Sequence, residues 1–235
     1  ARRMPYSPSG SSLFWSGMNK GKKSIAVDMK NPEGKDLITN IVTAPGKDAG
    51  LFLTNLKVKG WLDYETLSEL RSDRIIVTLK GDRQGRPQVD YTVNPALGIP
   101  EITGHEGSIE PVANAIPAWD MIAGNMCVSS LLAAERYRLR HGGGQDVEIA
   151  LKDVAAAAIG HLGMIADSTL NTDDRSKAGN ALYGAYGKDF LCADGNRVMI
   201  IGLTSRQWSG ILKATDTTEQ FRKLENEKNI NLNDE

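Results

Sequence analysis

A chain of 235 residues, 40% apolar and 24% charged, is long enough to bury a real core, as one large domain or two small ones. Its 28 basic and 29 acidic side chains leave a net charge of −1, so no global field draws it to nucleic acid or to an anionic membrane. No apolar run reaches membrane-spanning length, and two cysteines, Cys127 and Cys192, are too few for a disulfide scaffold, which points to a reducing, cytoplasmic setting.

The opening residues are irregular and rich in Arg, Ser, Pro and Gly, and do not read as a signal peptide. The chain stops in a polar run, Glu225–Glu235; both ends read as those of a fragment. Ser24-Ile-Ala-Val-Asp28 reads as a short strand, and Asn31-Pro-Glu-Gly as a helix entry with Asn31 as cap. Leu37, Ile38, Ile41 and Val42 give that helix an apolar face. Leu51–Thr54 is the next strand, Asp63 caps a short helix carrying Leu67 and Leu70, and Arg74–Leu79 is a third strand. This alternation predicts an α/β fold built from parallel βαβ units.

In open parallel sheets, ligands bind beyond the carboxyl ends of the strands. Asp28 to Lys30, then Asn55 and Lys57, then Lys80 and Gly81 fall at those ends. Three lysines and an amide at one rim suit an anionic, phosphate-bearing guest. Lysines also end strands on plain solvated loops, and the pattern alone leaves both open.

Ile116-Pro-Ala-Trp-Asp120 opens an apolar helix that runs to His141-Gly-Gly-Gly-Gln145. Met121, Ile122, Met126, Cys127, Val128, Leu131 and Leu132 predict a largely buried helix, with Arg136, Arg138 and Arg140 in its last turn and glycines to stop it. Asp120 stands where unpaired N–H groups and the positive dipole end favour a carboxylate. It reads either as an ordinary N-cap or as a reactive group. Asp146–Leu151 reads as a strand, Val154–Asp167 as a small-residue helix, and Thr169–Lys177 as a polar linker. Gly179–Gly187 is a glycine-rich loop, and Asp194-Gly195 a hairpin turn between Phe190–Ala193 and Arg197–Gly202.

Several chemistries fall away. His105, His141 and His161 have no further ligands at metal spacing. Gly17–Ser24 imitates a P-loop, but its glycines stand one residue too close and a strand follows. His141–Gly144 imitates an esterase oxyanion loop without any G-x-S-x-G elbow, and no G-x-G-x-x-G fingerprint occurs.

Asn19–Gly34, Arg138–Leu151 and Asp120 within Ala-Trp-Asp-Met-Ile-Ala-Gly124 are what make this chain resemble the family III CoA-transferases (CaiB/BaiF type). The resemblance covers nearly the whole chain. It implies a Rossmann-like, CoA-binding large domain over residues 1–167 that lacks its opening strand. A linker and glycine-rich loop at 168–187 and the beginning of a smaller α+β domain at 188–235 would follow. It also implies an interlocked homodimer, an acyl-CoA substrate that itself brings the coenzyme A, and no prosthetic group or metal.

By the same likeness Asp120 is the nucleophile, and Lys30, Asn55 and Lys80 contact CoA, alongside Lys57 and Gly81 from the strand-end reading. The loop carrying Gly179, Asn180, Tyr183 and Gly184 reads either as a plain flexible turn or as a shield over the intermediate, and it or the N–H groups at the start of the Asp120 helix are the candidates to hold an oxyanion. Where some members have an arginine on CoA, this chain has Asp63, so Lys57 or Lys59 would grip instead. Racemases of the fold need a histidine and a glutamate, at whose positions stand Val89 and Lys188, which disfavours racemisation.

Gly60–Glu65, Val89–Pro95, Leu97–Pro100 and Ile116–Asp120 resemble a subgroup that moves CoA from C1 to C4 of mesaconyl-CoA, an intramolecular transfer and an isomerisation by outcome. Transfer to a second carboxylic acid, or a non-catalytic CoA-binding scaffold, are the alternatives.

Overall fold

The computed structural model describes residues 3–171, 175–182 and 184–232. Helix α1 spans Leu13–Met18 and α2 Pro32–Val42; strand β1 is Leu51–Thr54, α3 Tyr64–Leu70 and β2 Ile75–Lys80. Helices α4 (Asp90–Ala96), α5 (Ile99–Ile102) and α6 (Ala118–His141) lead to strand β3 (Gln145–Ala150). Then come α7 (Leu151–His161), α8 (Met164–Leu170), the strands β4 (Tyr186–Leu191) and β5 (Arg197–Gly202), α9 (Ser205–Ala214) and α10 (Thr218–Lys228).

β1, β2 and β3 form a parallel sheet in that order, with Leu51 beside Ile75 and Ile75 beside Gln145. Both faces are covered, as parallel sheets require. Ile75, Val77 and Ile149 join Val93, Trp119, Ala123, Cys127 and Val154 in one core, which brings α4, α6 and α7 onto that face. Ile76 joins Val42, Leu62 and Leu67 in a second, with Ile38 and Phe52 at its edge. The Asn31 side chain caps α2 by accepting the Glu33 N–H (3.0 Å), and Asp63 caps α3 by accepting that of Thr66 (2.8 Å).

Four expectations change. Ser24–Asp28 is not a strand, since it has no ladder partner among the described residues, and Ile25 stays 65% exposed. An extended segment without a neighbour has nowhere to place its backbone hydrogen bonds except water. The helix expected over Val154–Asp167 is two, because Gly163 takes a left-handed φ of 78° between α7 and α8. The polar linker is shorter than expected, as α8 continues to Leu170 and Lys177 is buried, its Nζ donating to the Glu110 carbonyl. Finally, α6 is buried along one side only. Trp119, Ala123, Cys127 and Ala134 face the core, while Met121, Met126, Val128 and Leu132 remain exposed. A helix apolar all round needs cover on every side, and the described residues cover only one.

The antiparallel pair β4–β5 turns at Asp194-Gly195, where Gly195 has φ 83°. It packs with α9 and α10 around Trp208, whose ring lies 4.7 Å from that of Tyr186 and 5.1 Å from that of Phe221.

Gly142, left-handed at φ 78°, ends α6, and Arg138 in the last turn is only 5% exposed. Its guanidinium donates to the carbonyls of Ala49 (2.9 Å) and Lys47 (3.1 Å), tying α6 to the segment that leads into β1. Removing a buried charged donor that serves several carbonyls costs about 3 kcal/mol. Arg138→Ala should therefore lower the denaturant midpoint by that equivalent in equilibrium unfolding, and a loss below about 1 kcal/mol would contradict this anchoring.

Candidate active site

A cleft of about 730 Å³ opens at the carboxyl ends of β1 and β2, beside the start of α6. Asn55 and Lys57 reach it from the loop after β1, Lys80 and Gly81 from the end of β2, and Asp120 and Gly124 from α6. Strand ends and a helix N-terminus thus converge as the parallel topology dictates.

Gly81 is dictated by space. A Cβ there would run into the Arg86 carbonyl and the Gln88 amide, because residues 86–88 fold back over the strand end and line the same cleft. Val89 also lines the cleft, whereas Lys188 lies on β4.

Asp120 is not the N-cap. The cap position belongs to Pro117, which offers no side-chain acceptor, and Asp120 is the third residue of α6. Asp90, at the start of α4 and only 2% exposed, does the capping. Its Oδ2 accepts the Trp119 N–H at 2.8 Å and that of Asp120 at 3.2 Å. One turn on, the buried Asn94 accepts Trp119 Nε1–H at 2.9 Å and the Asn114 amide at 3.1 Å. Two polar side chains of α4 therefore fix the first turn of α6, and Asp120 projects from it, exposed to the cleft. Partial desolvation, then repulsion from Asp90, raises its carboxyl above the usual carboxylate range, against the opposing pull of Arg3.

The expected oxyanion donors at the start of α6 are already engaged. The Ala118 N–H goes to the Ile116 carbonyl, those of Trp119 and Asp120 to Asp90, and that of Met121 to the Pro117 carbonyl.

The lysines on the rim are paired. Glu148 on β3 takes Lys80 Nζ at 2.6 Å and Lys57 Nζ at 3.2 Å, and Asp146 lies 3.8 Å from Lys57. The hydrogen bond from Lys80 leads in holding the Glu148 carboxyl below its usual range, and Glu148 in turn raises the Lys57 ammonium.

Of the residues expected at the site, Asp120, Asn55, Lys57, Lys80 and Gly81 line one cleft. Lys30 does not; it stands exposed in the turn before α2, its N–H on Asp28 Oδ1. Lys59 is not on the cleft wall, and Asp63 is committed to capping α3. Gly179 donates its N–H to the Gly104 carbonyl at 2.9 Å, and Asn180, after Arg197, helps hold the Asp189 carboxyl below its usual range. Gly184 lines a separate apolar cavity of about 470 Å³ with Tyr186, Trp208 and Phe221. Tyr183 lies outside the described residues. Asp90, Asn94 and Glu148 were not singled out from the sequence. For Asp90 a signal existed, since an acidic residue opens a short apolar helix at Val89-Asp-Tyr-Thr-Val.

The fold agrees with what comparison shows. The chain matches CoA-transferase family III along residues 1–235, and it belongs to that family. It is 50% identical over all 235 residues to the 2-methylfumaryl-CoA isomerase of Chloroflexus aurantiacus, of which it spans 58%. It is 32% identical over 163 residues, 66% of its length, to the succinate–glutarate CoA-transferase of Agrobacterium fabrum, covering 40% of that protein. A CaiB/BaiF family protein from Brucella suis superposes on 87% of the chain and 55% of its own, with a TM-score of 0.69 at 22% identity, and shares the fold. The chain thus spans roughly half of the curated relatives it matches.

The carboxyl of Asp120 should titrate above an ordinary aspartate. Asp90→Asn keeps an acceptor for both N–H groups but removes the negative charge, so the Asp120 midpoint should move to lower pH. Site-resolved carbon NMR of the side chain reads this directly; an unmoved or raised midpoint would contradict the coupling.

Proposed function

We propose that this chain carries the CoA-binding and nucleophilic part of an intramolecular CoA-transferase acting on mesaconyl-CoA (2-methylfumaryl-CoA), moving CoA from C1 to C4. The observation that carries the reading is one cleft that joins Asp120, at the pinned end of α6, to the lysine-bearing strand ends. The name of the relative at 50% identity supports the substrate.

In this scheme the Asp120 carboxylate attacks the C1 thioester carbonyl and expels CoA thiolate, leaving a mixed anhydride. The thiolate attacks the aspartyl carbonyl and releases the C1 carboxylate, so CoA becomes a thioester of Asp120. The C4 carboxylate attacks that thioester, expelling thiolate and forming a second anhydride. The thiolate then takes the C4 acyl carbon and frees Asp120. Every bond made is matched by one broken, and no proton leaves carbon. Lys57, Lys80 and Asn55 hold the CoA anions and keep the thiolate near, which makes each return step effectively unimolecular. Gly179, Asn180 and Gly184 are not on the wall of this cleft, so the scheme gives the glycine-rich loop no part in shielding the anhydride.

Coenzyme A enters as part of the substrate, with no prosthetic group. Residues 1–167 form the CoA-binding unit, 168–187 the connection, and 188–235 the start of a smaller one. The uncovered apolar side of α6 supports a homodimer with interlocked subunits, in which a second copy covers it. No helix among the described residues is long and apolar enough to cross a membrane, and both cysteines are unpaired, which suits a cytoplasmic enzyme. A second reading, transfer to a different carboxylic acid, is favoured by the likeness to the succinate–glutarate enzyme.

The full-length protein should convert mesaconyl-CoA to its C4 isomer without added acceptor, and Asp120→Ala should lose at least about a thousand-fold in kcat. Dependence on an added carboxylic acid would favour the second reading. Unchanged turnover by Asp120→Ala would remove the nucleophile.

A further inference from the structure

Lys80 and Glu148 project from the same face of the sheet, because Glu148 pairs in register with Thr78, two residues before Lys80. Lys57 arrives from the loop after β1. One carboxylate thus takes an ammonium on each oxygen, Lys57 on Oε1 at 3.2 Å and Lys80 on Oε2 at 2.6 Å. Both lysines line the cleft, whereas Glu148 stands behind them and is not part of its wall. With Asp146 3.8 Å from Lys57, two positive and two negative charges balance at the place where an anionic ligand must be held.

Two ammoniums shared by one pair of oxygens is the arrangement a phosphate group would ask of them. We propose that Glu148 is an internal counter-ion of the cleft, holding Lys57 and Lys80 in position and yielding at least one of them to a phosphate of the bound ligand. This rests on the reading of the cleft as a CoA site. The four side chains are 25–42% exposed, so the pairs exchange with solvent and with ligand readily. The consequence is that affinity is held below what two unopposed lysines would give, which favours release of a product as heavily charged as the substrate.

Coenzyme A binding to the full-length protein, followed by calorimetry, tests this. Glu148→Gln keeps the shape and one acceptor but removes the charge, and should tighten coenzyme A about three- to ten-fold at low salt. The gain should shrink near 1 M salt, where the screening length is about 3 Å. Pantetheine, which has the thiol arm without the phosphates, should bind both proteins equally. Lys80→Met should weaken coenzyme A in the natural background, and more strongly beside Glu148→Gln. Glu148→Thr, suited to an exposed strand position, should reproduce the tightening.

Unchanged or weaker coenzyme A binding in both Glu148 variants overturns the proposal, as does equal tightening of pantetheine. If instead Lys80→Met leaves coenzyme A binding untouched, the CoA reading of this rim falls, and the counter-ion role with it.

Discussion

A single buried carboxylate oxygen, Asp90 Oδ2, receives the N–H groups of Trp119 and Asp120, and the geometry of the cleft follows from that bond pair. The first turn of a helix has donors to place, and proline at the cap offers nothing to receive them. Asp90 supplies the acceptor from a neighbouring helix, so the orientation of Asp120 is a tertiary property and not one of its own segment. At the far end of the same helix Arg138 grips the carbonyls ahead of β1. A 24-residue helix held at both ends sets the distance between Asp120 and the sheet.

The same pairing has an electrostatic consequence at Asp120. Partial desolvation disfavours the charge of Asp120 most, the second carboxylate behind it adds to this, and Arg3 offsets part. A carboxylate with a raised pKa is more basic and therefore a better nucleophile toward a carbonyl, so long as it remains ionised at working pH. The N–H groups in the first turn of α6 are already engaged by Ile116, Asp90 and Pro117. At the other side of the cleft, cation and anion alternate on the rim, with Lys57 and Lys80 both on Glu148.

Much of this was legible in the sequence wherever local rules suffice. The caps at Asn31 and Asp63, the strand at Leu51–Thr54 and the hairpin turn at Asp194-Gly195 depend on neighbours in the chain, and they stand where pattern places them. Asn55, Lys57, Lys80 and Gly81 meet in space because parallel topology gathers strand ends at one rim, which alternation predicts, whereas the part of Asp120 comes only from the family resemblance. What pattern could not show is what depends on partners remote in sequence. Ser24–Asp28 has the composition of a strand but no neighbour to pair with. Asp120 looks like a cap until Asp90, thirty residues earlier, is seen to occupy that role. Lys30 carries the right charge at the end of a strand that does not form, and so stands away from the others.

Covalent capture decides whether this helix end is a reactive centre. Intact-protein and peptide mass spectrometry of the full-length protein, quenched during turnover of mesaconyl-CoA, should show coenzyme A joined to the peptide that carries Asp120. That adduct should disappear on treatment with hydroxylamine. Unmodified peptide throughout steady turnover, or coenzyme A attached at another residue, would contradict the account.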